Sequence, residues 1–167
     1  MDIDAVEREA ERRALTGEEI GGLAALLQSA ARPEEQHRAV LLLAREHTAD
    51  GEHALHALLE GGATPEIAVL ALETLCVRWG LTERYAGMLR HFVRGVRWDV
   101  EHGGDVRRAA IAIAGQHLAS HSDTELMFDI IRVSEDEPDD ATRTAAVRAL
   151  ARATGYRGRP VDLNIDL

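Results

Sequence analysis

Four times along this 167-residue chain an amphipathic stretch built of Ala, Leu, Val and Arg closes a longer unit, and that recurrence limits the folds open to it. The fullest copy is "DDATRTAAVRALARATG", residues 139–155. Beneath it, "GGDVRRAAIAIAG" (103–115) places Arg107 over Arg143, Ala109 and Ala110 over Ala145 and Ala146, Ile111 over Val147 and Ala114 over Leu150. Two earlier stretches, "EEQHRAVLLLAREH" (34–47) and "PEIAVLALETLCVRW" (65–79), enter the same frame with Ala39 and Leu70 on Ala109, and Leu41 and Leu72 on Ile111. Successive copies then stand about 31, 39 and 36 residues apart. Self-similarity at such a period is the signature of stacked supersecondary units, each unable to bury its apolar face alone.

A second amphipathic segment precedes each copy: residues 18–30, 51–62, 82–96 and 123–134. The pattern predicts four helix pairs over 17–48, 51–79, 82–119 and 123–154, within a single domain spanning 1–155. Start signals agree. Thr16 with Glu19 and Ser122 with Glu125 have capping-box spacing, Thr64 stands before Pro65, and Pro33 and Pro138 suit helix starts. The glycines at 51, 61–62, 80, 103–104 and 155 are expected between helices. At the N-terminus, Ile3, Val6, Ala10 and Ala14 form a narrow apolar seam, expected as a capping helix over 1–15. After Gly155 the pattern changes. Val161, Leu163, Ile165 and Leu167 alternate with polar residues, so 156–167 is read as an extended tail. Such a tail lies along the last repeat, stays disordered, or adds as a strand to a partner's sheet edge.

Composition fits helices packed closely: 46% of residues are apolar but only 4% are aromatic. Formal net charge is −10, and all 19 basic residues are arginine, a bias of the kind a GC-rich coding sequence produces. A net negative field disfavours nucleic acid and anionic membrane and favours a basic partner. Cys76 is the one cysteine, which excludes an internal disulfide and a cysteine zinc site and reads as a small buried hydrophobe. No apolar run reaches bilayer length and no leader pattern opens the chain, so a cytoplasmic protein without membrane attachment is expected.

The motif Asp-x-x-Arg-x-x-Ala-x-x-Ala-Leu, written as "DDATRTAAVRAL" and more loosely as "GDVRRAAIAIA", resembles HEAT repeats, and the resemblance covers roughly residues 17–155. In the first two copies His37 and Ala68 stand where the family has arginine. The resemblance implies an all-α, right-handed α-solenoid of about four HEAT-like helix pairs, with the second helices lining a concave surface. On the aligned frame, positions 38, 42, 45 and their equivalents point away from the core. That makes Arg38, Arg45, Glu73, Arg108 and Arg148 candidates for a partner-binding surface.

The most unusual local stretch is "RYAGMLRHFVRGVRW" (84–98). On one continuous helix, Tyr85, Leu89, Phe92, Val93 and Val96 share an apolar face while Arg90, Arg94 and Arg97 fall together opposite, with Trp98 beside them. Arginine forks bind carboxylates and phosphates at two points, so these four residues form a candidate interaction hot spot. The other reading is a solvated face neutralised by Asp99, Glu101 and Asp105. HEAT-like DNA glycosylases offer a nucleic-acid precedent for a basic, Trp-bearing surface, but the acidity of this chain argues against it.

Histidines at helical spacing, His53 and His56 beside Glu52, and His117 and His121 near Asp123, raise a metal question. Neither group has a third ligand at a diagnostic distance, so scattered surface or helix-end histidines are expected, with no cofactor. No phosphate loop or nucleophile elbow is present. The sequence therefore points to a non-catalytic protein-binding module with a basic protein partner. An immunity or antitoxin-type inhibitor masking a basic toxin is one role, and a scaffold or regulatory subunit is another.

Overall fold

The structure, a computed structural model, describes residues 1–29, 32–61 and 63–156. Among them every regular element is helical. The helices are α1 (Ile3–Ala10), α2 (Gly17–Gln28), α3 (Pro33–Leu43), α4 (Ala49–Gly61), α5 (Pro65–Glu73, continued by a π-helical turn Thr74–Arg78), α6 (Ala86–Arg94), α7 (Arg97–Val100), α8 (Asp105–Leu118), α9 (Thr124–Asp136) and α10 (Asp140–Ala153). No helix among the described residues is long and apolar enough to cross a membrane.

Local chemistry sets these boundaries. Asp2 accepts from the amides of Asp4 and Ala5 to start α1, and Thr16 with Glu19 forms a complete capping box on α2. Pro33 and Pro65 each open a helix, where the missing N–H is of no consequence. The expected boundaries shift at five places, one of them Gly61, expected between helices but closing α4. The helix of the N-terminal seam ends at Ala10, leaving Ala14 exposed while Leu15 is buried in its stead. Thr48, whose Oγ1 accepts from the Gly51 amide, starts α4 early enough to place Gly51 inside the helix. Asp123, not Ser122, caps α9 by accepting from Leu126 N. Finally, the helix expected over 82–96 is a turn at 82–85 followed by α6, which ends at Gly95. Gly95 holds φ at 95°, a value that side-chain-bearing residues avoid, and the chain turns there into α7.

The chain forms two compact units, Met1–Ala110 and the residues from Ile111 onward, so the boundary lies within α8. In the first unit α2 packs on both α3 and α4, α3 on α5, and α4 on α5. First helices thus meet first helices and second helices meet second helices. Leu23, Leu43, Leu55, Ile67, Leu72 and Leu75 fill the space between them without exposure to water. Helix α1 lays Ile3, Val6 and Ala10 over this group and packs on α3. Arg38 fixes that contact by donating through Nε to Glu7 at 2.8 Å and through Nη2 to Glu7 and Asp4.

Burial corrects the alignment of the first repeat by one residue. Pro33 and Pro65 stand 32 residues apart, and at that offset Ala39 and Ala71, Val40 and Leu72, and Leu43 and Leu75 are all buried. Leu41, expected in the core with Leu72, is 44% exposed and matches exposed Glu73; Leu42, expected to face outward, is buried. The run "AVLLLA" has no polar residue to mark its outer face, so hydrophobic spacing alone does not choose between the two registers.

Helix α7 carries a buried cap for α8. Asp99, wholly out of water, accepts from the amides of Val106 at 3.0 Å and Arg107 at 2.8 Å, satisfying two of the donors a helix N-terminus leaves open. Asp99 therefore serves the α8 backbone. In the second unit α9 packs on α10 around Leu126, Ile130 and Ala146. Gly115 lets α8 approach α10 closely, since a Cβ there would lie 2.6 Å from the Cα of Ala149. Tyr156 is exposed, and the expected extended tail otherwise lies outside the described residues.

Candidate functional site

The first unit carries a groove with α4 on one side and, on the other, the 82–85 turn, α6 and the start of α7. It consists of two adjoining clefts of about 480 and 460 Å³ that share His56 and Met88. One end is polar, lined by Glu52, His53, Arg84 and Tyr85. The other carries the aromatic rings of Phe92 and Trp98, lined also by Leu59, Glu60 and His91.

Glu52 is the centre of the polar end. It sits in the first turn of α4 with only 7% of its surface exposed, so its charge requires partners. Tyr85 Oη donates to Oε1 at 2.6 Å, Arg84 Nη1 lies 3.0 Å from the same oxygen, and His47 Nε2 lies 3.2 Å from Oε2. The Tyr85 hydrogen bond, then those of His47 and the Arg84 charge, hold the Glu52 carboxyl below its ordinary range against the opposing effect of burial. Burial and the same carboxylate push the Tyr85 phenol up to about 12. One group is thus firmly ionised and the other firmly protonated near neutrality, a poor match for proton transfer and a good one for a fixed anionic anchor. Behind Glu52, the His47 ring stacks on Trp79 with centroids 4.8 Å apart, and the buried Trp79 Nε1 finds no acceptor among the described residues.

At the aromatic end Phe92 is buried and meets Trp98 edge to face, with centroids 6.4 Å apart. Trp98 is the one residue of the sequence-derived hot spot that lines the groove. Arg90 is half-buried and Arg94 exposed on α6, whereas Arg97 lies beyond the Gly95 break, paired with Glu101 at 2.8 Å. The structure thus separates Arg97 from the other two, because the chain leaves the helix before reaching it. Arg38 is engaged by α1, Arg108 pairs with Asp105 and donates to the Gly103 carbonyl, and Arg45, Glu73 and Arg148 are exposed on separate elements.

The histidine pairs divide likewise. His53 and His56 face the groove, but among the described residues no three His, Cys, Asp or Glu side chains gather as metal ligands. His117 and His121 stack with centroids 4.5 Å apart and planes 6° from parallel. A metal sits in the plane of each ring it binds, so two stacked parallel rings do not converge on one ion. Cys76 is buried, and burial alone raises its thiol to about 12, leaving it an unreactive core side chain.

Sequence reasoning noticed Glu52 only as a neighbour of His53 and passed over Arg84, Tyr85 and Met88 as groove residues. No spacing in the sequence marks this pair: Arg84 follows Glu52 by 32 residues and meets it only across the folded groove. No protein-family model matches the chain, and neither a curated protein nor a solved structure matches it.

Proposed function

We propose that this protein is a non-catalytic, HEAT-like repeat module that binds a basic protein partner through the face bearing the α4–α6 groove. The observation that carries the reading is the groove itself, concave and open, with an ionised, largely buried carboxylate at one end and aromatic side chains at the other. Its polar groups are tuned for holding charge rather than moving protons, which favours recognition over chemistry. Like-on-like packing of α2 with α4 and of α3 with α5 supports a repeat stack, the arrangement that in solenoids builds extended binding surfaces. The net charge of −10 favours capture of a cationic protein and accelerates its encounter. Masking a basic toxin, such as a nuclease, is the role in which this charge has the most direct use.

Affinity capture of the tagged full chain from its native lysate at low salt, followed by a salt titration, tests the proposal. One stoichiometric protein of high pI, released as salt rises, is expected, and inhibition of that protein is then the next assay. Recovery of no stoichiometric protein, or of an acidic one indifferent to salt, overturns it.

A further inference from the structure

Glu52 and Arg84 are unequal partners. Glu52 is fixed in α4 and nearly out of water, whereas Arg84 stands on the turn before α6 with its side chain 68% exposed. Its guanidinium reaches the carboxylate from the groove, whose lining it helps to form. A buried carboxylate needs a cation beside it, but the requirement does not specify which chain supplies that cation. Arginine is the natural substitute, because its planar fork matches a carboxylate at two points and is less strongly hydrated than an ammonium group. Past Met88 the groove continues to Phe92 and Trp98.

We infer that the groove receives an arginine side chain of the basic partner, which displaces Arg84 from Glu52, while an adjacent aromatic or large apolar side chain passes Met88 and seats against Phe92 and Trp98. Arg84 is then an internal stand-in for the ligand. It keeps the buried carboxylate paired while the groove is empty and gives way when a better-placed guanidinium arrives. This rests on the reading of the protein as a binder of a basic partner and names the chemistry that the partner must present. An internal competitor also lowers apparent affinity by the fraction of time the site is occupied, so removing it strengthens binding.

The test is calorimetric titration of the full chain with acetyl-Arg-Phe-amide at about pH 8, with acetyl-citrulline-Phe-amide as the uncharged isostere. Wild type is expected to bind the arginine peptide saturably and the citrulline peptide not at all. Arg84→Ala is expected to bind the arginine peptide about tenfold more tightly, and Glu52→Gln to lose it. Because Glu52→Gln disturbs a buried network, Met88→Arg, which blocks the junction of the two clefts without touching Glu52, serves as the second variant and is also expected to abolish binding. Equal binding of the two peptides, an Arg84→Ala variant no tighter than wild type, or undiminished binding to Met88→Arg overturns the inference. Lysate capture of a basic protein combined with any of these results would remove the arginine exchange and leave the binding-module reading intact. Arginine-specific binding without a captured partner would do the reverse.

Discussion

Tyr85 Oη donates a 2.6 Å hydrogen bond to Glu52 Oε1 across the groove, from the turn before α6 to the first turn of α4. The bond therefore holds the groove at a fixed width as well as solvating a buried charge. Tyr85→Phe removes the donor and keeps the ring, leaving Arg84 and His47 to satisfy the carboxylate. A loss of about 1–3 kcal/mol in urea unfolding is expected. A variant as stable as wild type would mean that water or Arg84 replaces the phenol without loss.

Acid stability follows from the same residue. Glu52 is held below its ordinary value of 4.5 in the folded chain, so its contribution is fully present above that value and is lost as pH falls through the lower, folded one. Glu19, lowered to about 2 by Arg13 and the Thr16 cap, acts in the same direction. Between about pH 6 and about pH 3.5, wild type is expected to lose more stability than Glu52→Gln, whose amide does not titrate. Parallel slopes in urea titrations across that range would remove Glu52 as a source of acid sensitivity.

The corrected register makes a sharp comparison within three residues of α3. Val40→Arg places a charge where no water reaches and is expected to unfold the first unit, whereas Leu41→Arg extends into solvent and is expected to change stability by less than about 0.5 kcal/mol. Ala110→Arg and Ala146→Arg, both at fully buried positions, belong with Val40→Arg. Circular dichroism with thermal melts decides the point. A folded Val40→Arg beside an unfolded Leu41→Arg would restore the offset of 31.

Close approach of α8 and α10 depends on Gly115. Gly115→Ala puts a methyl group 2.6 Å from the backbone of Ala149, and since backbone yields little, a destabilisation of about 1–3 kcal/mol is expected. Hydrogen exchange should locate the loss in α8 and α10. An unchanged melting temperature would show that the two helices separate freely.

Much of the fold is legible in the amino-acid order because its signals are local. The Thr16–Glu19 box, the prolines at 33 and 65 and the buried alanines at 110 and 146 each follow from a few neighbouring residues. The failures share a cause as well. "AVLLLA" is uniformly apolar, so its outward residue is decided by what packs on it. Arg90, Arg94 and Arg97 share a face only on an unbroken helix, and Gly95 breaks it. Glu52 gains its meaning from Arg84 and Tyr85, which lie 32 and 33 residues away and are brought to it only by tertiary folding. Spacing within a helix does not reveal such a pair.

The two tryptophans give the groove an optical consequence. Trp98 lines its aromatic end, while Trp79 stacks on the His47 ring that touches Glu52 at the other. Indole emission shifts when a shielding surface arrives. The chain thus carries one intrinsic fluorophore behind its polar anchor and another for occupancy of the aromatic end, and single Trp→Phe variants separate the two signals without an added dye.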